Sequence, residues 1–142
     1  MQIPVLLLAL GSVVAGHWPN VQCYNEGESG GPGDFVRAAY SACEMFSNRT
    51  YDPGYGGQAC ITFPPRDPKA KSNWLFDRKN VSPELDRTQD ILDCFAGFAK
   101  PWFRCKYHRG GVSQTPDWRF RVDPNHGPCP FIDYQPYRGT PI

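Results

Sequence analysis

Apolar residues and arginines alternate at Trp118, Arg119, Phe120, Arg121 and Val122. This period-two pattern marks a strand with one buried face and one wet face. Asp123-Pro124-Asn125-His126-Gly127 follows with turn-forming residues and predicts that the strand stops there. His108-Arg109-Gly110-Gly111 reads as the loop leading in. Helical spacing at Phe35, Val36, Ala39, Tyr40, Cys43 and Phe46 predicts a helix from Phe35 to about Phe46, capped by Gly33 or Asp34. A second helix is expected to open at Ser82-Pro83-Glu84, a hydroxyl cap followed by proline and a carboxylate. Its apolar stripe is Leu85, Thr88, Leu92, Phe95 and Ala99, with Asp86, Arg87, Asp90 and Asp93 opposite, and Pro101 ends it. Short strands are expected at 21–25, 59–63 and 73–79, the last with Trp74 and Phe76 on one face. Loops are expected at 26–33 and 51–57, and nothing orders the proline- and lysine-rich stretch 64–71. The order of elements predicts an α+β fold, an antiparallel sheet covered by helices in an α/β sandwich.

Composition adds a compartment. The apolar run Ile3 to Val14 is too short to span a bilayer and ends in small residues, so residues 1–16 read as a secretory signal peptide. The remainder divides into a single disulfide-rich domain at 17–129 and a proline-rich tail at 130–142, which lies over the domain or is mobile. The expected location is secreted, extracellular. Cys23, Cys43, Cys60, Cys94, Cys105 and Cys129 make three disulfides, with fifteen pairings open. Chain order favours Cys43–Cys60 and Cys105–Cys129, which leaves Cys23–Cys94. A net charge of +1 supplies no field that draws the chain to nucleic acid. No later stretch is apolar enough for membrane insertion, and the cysteine and histidine spacings suit neither a metal nor a cofactor. Asn48-Arg49-Thr50 and Asn80-Val81-Ser82 are N-glycosylation sequons, the second weakened as an acceptor by Pro83.

Catalytic constellations are thin. His108 and His126 with Arg119 or Arg121 outline a small ribonuclease, but histidines are common in solvated loops such as these and no carboxylate is spaced to work with either. Asp90 with Asp93, or with Asp86, imitates a glycosidase pair, although carboxylates on an exposed helix side are usually only solvated. The glycine-rich loop at 26–33 carries acidic residues and no phosphate-binding motif. Aromatic residues are the better lead: sugars pack their C–H faces on rings while Arg, Asn and Asp bond the hydroxyls. Tyr55, Trp74, Trp102, Tyr107 and Trp118 are the rings that suit this role, although a plain core role fits Trp74 and Trp118 better. The candidate glycan-binding set is Trp102, Tyr107, Arg119, Arg121, Asp123, Asn125 and His126.

Several blocks together carry a resemblance: CYNEG at 23–27, AAYSAC at 38–43, GGQAC at 56–60, WLF at 74–76 and DCFAGF at 93–98. Arg104-Cys105, Gly110-Gly111 and WRFRVDPNHGPC at 118–129 complete it. The chain resembles the small secreted fungal proteins related to a mushroom lectin, the Y-three-like glycan-binding domain. That resemblance implies a helix-covered antiparallel sheet and non-catalytic carbohydrate binding, with glycans or glycoproteins as partners. It also implies a homodimer through sheet edges. The alternative is a killer-toxin-like or effector-type protein acting on a host or competitor target.

Overall fold

The structure, a computed structural model, describes residues 21–139. The signal-peptide expectation lies outside these residues. The fold is α+β, with two helices, eight antiparallel strands and three disulfides. Strands β1 (Gln22–Cys23), β3 (Tyr55–Ile61), β4 (Ser72–Asn80), β6 (Gly111–Gln114), β7 (Trp118–His126) and β8 (Tyr134–Arg138) form one sheet in the order β1-β6-β7-β4-β3-β8. Strands β2 (Thr50–Tyr51) and β5 (Arg87–Thr88) make a separate ribbon. Helices α1 (Pro32–Phe46) and α2 (Ile91–Arg104) pack on the sheet face that carries Ala59, Ile61, Trp74, Phe76, Trp118, Phe120 and Val122. The core between them is largely aromatic. Phe35 stacks on Trp102 with ring centroids 5.0 Å apart, and Trp74 meets Trp102 edge-on at 4.9 Å.

Helix α1 falls where its spacing predicts but starts earlier, at Pro32 after a Gly31 cap. Its buried stripe is Phe35, Ala38, Ala39, Ala42, Cys43 and Phe46, whereas Val36 and Tyr40 are exposed. The small alanines let the helix lie close to β3. Helix α2 does not begin at Ser82. Asn80 is fully buried and donates to the carbonyls of Tyr51 and Leu85, and its own oxygen accepts from the Ser82 N–H. Ser82 Oγ also donates to the Leu85 carbonyl, which closes a turn where a helix was expected. Asp90 takes over as the cap, accepting from the Asp93 N–H at 2.8 Å. The buried stripe is therefore Cys94, Gly97, Phe98, Pro101 and Trp102, while Leu85 and Leu92 are exposed. Pro101 sits inside the last turn rather than ending it. Having no N–H, it leaves the Gly97 carbonyl without a helical donor, and Ser113 Oγ approaches that carbonyl at 3.4 Å instead.

Strand β7 alternates as expected but runs through Pro124 to His126. The Trp118 carbonyl accepts from Thr115 on the β6 side, so even-numbered residues of β7 turn their backbone groups that way. Pairing with β6 stops at Gly111↔Val122, so Pro124 lacks its donor where no partner strand remains. The turn comes later, at Gly127, where Asn73 Nδ2 holds the carbonyls of His126, Gly127 and Pro128. The 64–71 stretch is also tied down: Thr62 Oγ1 donates to the Pro64 carbonyl, and Arg66 pairs with Asp133.

After Cys129 the chain adds β8 to the edge of β3 rather than lying over the fold. Gly57 and Gly56 face opposite sides of the sheet, and each receives one tyrosine of β8. A Cβ on Gly57 would lie 2.5 Å from the Tyr134 ring, and one on Gly56 would lie 2.6 Å from Tyr137. Asp133 accepts from the Cys60 N–H, which turns odd-numbered groups of β8 toward β3 and leaves the donor-less Pro136 facing the open edge. The disulfides are Cys23–Cys105, Cys43–Cys94 and Cys60–Cys129. None matches the pairing favoured by chain order. The first joins β1 to the end of α2, the second joins the two helices, and the third joins β3 to the approach of β8.

Gly97 tests the packing of α2 on β7. A Cβ there would lie 2.2 Å from the Phe120 ring. Alanine favours a helix by about 1 kcal/mol over glycine, but overpacking costs about 1–3 kcal/mol. Gly97→Ala is expected to lower the melting temperature; a rise would mean that α2 stands off from the sheet.

Candidate functional site

The predicted site residues do not converge on one place. Arg119, Arg121, Asp123 and Asn125 alternate along the helix-free face of β7, as their spacing requires. Trp102 lies on the other side of the sheet, fully buried against Phe35 and Trp74, so it offers no surface to a ligand. Tyr107 is exposed in the α2–β6 connection, with Lys106 and Arg109 over its ring. His126 is exposed and meets the Glu28 carboxylate. His108 Nδ1 lies 3.2 Å from the Trp102 carbonyl, and its ring packs on the Trp102 indole. Asp90 serves as the cap of α2. Among the described residues no His, Cys, Asp and Glu grouping suits a metal ion, and no helix is long and apolar enough to cross a membrane.

The helix-free face centres on a buried carboxylate. Asp77 on β4 is fully buried; it accepts from the Tyr137 hydroxyl and, at 3.1 Å, from Gln58 Nε2. Burial pushes its pKa up to about 6, against the pull of those two hydrogen bonds and of Arg121 and Lys79. Burial likewise raises Asp123, although Arg121 nearby opposes the shift. Tyr24 is raised by its own burial. Arg121 approaches Asp123 at 4.0 Å, while its Nε is buried without a hydrogen-bond partner among the described residues.

A cleft of about 440 Å³ opens instead around the β8 edge, lined by Arg49, Tyr51, Asp52, Tyr55, Tyr134, Tyr137 and Arg138 among others. Its volume falls within the roughly 300–1,000 Å³ of ligand sites. Two other hollows of similar size lack comparable aromatic walls: one of about 470 Å³ beside Ser41, Glu44 and Met45 has no aromatic ring, and one of about 450 Å³ has Tyr24 alone. The Tyr51 and Tyr134 hydroxyls bond each other at 2.7 Å. Burial, followed by that bond, raises the Tyr134 pKa. Arg49 lies 4.0 Å above the Tyr134 ring and Arg138 lies 5.2 Å from the Tyr55 ring. Sequence reasoning singled out Tyr55 but missed Tyr134, Tyr137 and Arg138, which fall in the apparent tail. The available signal was Gly56-Gly57, a pair of missing side chains that something else had to cover.

The two sequons are not equivalent. Asn48 is exposed at the end of α1, with a positive φ of 59°, whereas the Asn80 amide is fully engaged in the core. In this fold the Asn80 amide serves as a structural group. When the chain is expressed through a glycosylating secretory pathway, Asn48 is expected to carry glycan and Asn80 none. Peptide mass mapping reads this directly, and an occupied Asn80 contradicts the buried turn. Asn80→Ala should also lose about 1–3 kcal/mol of stability by leaving buried carbonyls without donors.

Asp77 gives a pH signature. Its folded pKa is raised, so between pH 4 and 6 the folded protein holds a proton that the unfolded chain has released. Stability contributed by this group is full below about pH 4, falls as pH rises to about 6, and is flat above. The shift corresponds to about 3 kcal/mol. In Asp77→Asn, with the Gln58 amide turned to accept, this fall disappears; denaturant unfolding of both proteins at pH 4 and pH 7 measures it. Parallel pH profiles would mean that the carboxylate is solvated.

A scan against protein-family models finds no match to this chain, and a comparison with curated proteins finds none either.

Proposed function

We propose that this is a secreted, non-catalytic carbohydrate-binding protein and that the cleft at the β8 edge is its glycan site. The observation that carries the reading is the joint presence there of tyrosine rings and planar hydrogen-bonding groups. Pyranose rings offer apolar C–H faces to Tyr55, and their hydroxyls match Asp52, Thr50 and the arginines in plane. Three disulfides and the N-terminal apolar run support an extracellular setting. Homodimer pairing by the β8 edge is disfavoured by Pro136, so avidity would come from another surface.

A second reading has one observation behind it. Val36, Tyr40, Leu92 and Phe103 are exposed on the helix layer, and such residues suit a protein target of the toxin or effector type.

A glycan array probed with the oxidised protein separates the two. The carbohydrate reading expects specific binders whose affinity drops roughly tenfold in Tyr55→Ala, the loss of one stacked ring. The variant's melting temperature, measured in parallel, keeps a folding defect from being mistaken for a binding defect. An array without binders, together with a protein partner lost on Leu92→Asp, hands the function to the effector reading.

A further inference from the structure

We infer that the cleft selects acidic saccharides, with a ring-borne oxyanion held between Arg49 and Arg138; this rests on the carbohydrate reading of the same cleft. Most other arginines of the surface are already used: Arg37, Arg66, Arg87 and Arg121 each face an aspartate. Among the described residues Arg49 and Arg138 meet no carboxylate; Arg109 shares that property but lies outside the cleft, bonded to the Asn25 carbonyl. Arg49 and Arg138 both line the cleft, and each is set against a tyrosine ring.

The setting of Arg49 is that of a prepared donor. Its Nε donates to the Met45 carbonyl at 2.6 Å, at the end of α1, and its guanidinium lies over Tyr134. Those two contacts fix the plane of the group, and neither uses its terminal N–H groups. Arg138 reaches the same cleft from β8, its guanidinium at the Tyr55 ring. Guanidinium donors form a planar fork that fits a carboxylate or sulfate with two parallel hydrogen bonds. Fixing the fork in advance removes side-chain ordering that binding would otherwise require. Asp52 is the one acidic side chain among the lining residues, so the cleft keeps a positive balance. A neutral sugar would leave both forks facing only hydroxyls; an acidic one gives them their strongest partner.

The test compares tetragalacturonate, its fully methyl-esterified form and a sulfated heparin tetrasaccharide, each titrated calorimetrically into the oxidised protein. Ester and acid share every hydroxyl and differ in charge and in one methyl group per residue. The expected result is binding of tetragalacturonate or the heparin fragment at least about tenfold tighter than the ester; a preference shown by the heparin fragment alone identifies sulfate. The preference should shrink with added salt. It should fall to near unity in Arg49→Gln with Arg138→Gln, and only partly in Arg138→Lys, which keeps the charge but loses the fork. If neither the acid nor the heparin fragment binds tighter than the ester, or if the preference survives the double substitution, the inference is overturned while a neutral-sugar site is left standing. No binding by any of these three nor by any sugar on the array overturns the parent reading and the inference together.

Discussion

A buried cation holds the upper half of this fold together. Arg78 projects from β4 into the helix side of the sheet and is fully buried, with no carboxylate among its contacts. Its guanidinium donates to the Phe46 carbonyl at the end of α1 and to Gln89 Oε1 beside β5, and lies among the rings of Phe46, Tyr51 and Trp118. Burial lowers its pKa, yet arginine stays charged in proteins, so carbonyl dipoles and ring faces must stand in for a counter-ion. That requirement joins α1, β4 and the β2–β5 ribbon at one point. Replacing Arg78 with an aliphatic residue would leave the ribbon, which forms one wall of the cleft, without its anchor.

The other wall depends on absence. Gly56 and Gly57 leave room on both sides of β3, and the tyrosines of β8 fill it, one on each face. Tyr137 then reaches the buried Asp77 on the helix-free side, while Tyr134 reaches Tyr51 and receives Arg49 on the other. The polar band and the cleft are thus two faces of the same edge. A change at either glycine should be felt in both.

What could be read from the chain follows from how local the cause is. Helix α1 and the alternating part of β7 were legible because their periodicity is set by one buried face each. The start of α2 was not, because Ser82-Pro83-Glu84 satisfies every local rule for a cap while Asn80, a residue upstream and fully buried, claims the same backbone for a turn. The disulfides follow from strand order, which no spacing reveals. Trp102 entered the candidate site and Tyr55 did not, yet the phase of α2 puts Trp102 in the core. The tyrosines of β8 were hidden because Pro136 breaks the look of a strand, although at a sheet edge a proline is admissible.

The anchoring of β8 has a consequence for association between molecules. Edge strands joined by a tether are the usual material of domain exchange, in which one copy lends its strand to another. Here only four residues separate Cys129 from Tyr134, and Cys129 is bonded to Cys60 at the end of β3 itself. A tether that short reaches about 15–18 Å when fully extended, so β8 stays at high local concentration over its own groove. Oxidation therefore makes the molecule self-contained at this edge, and reduction is the condition under which copies could trade strands.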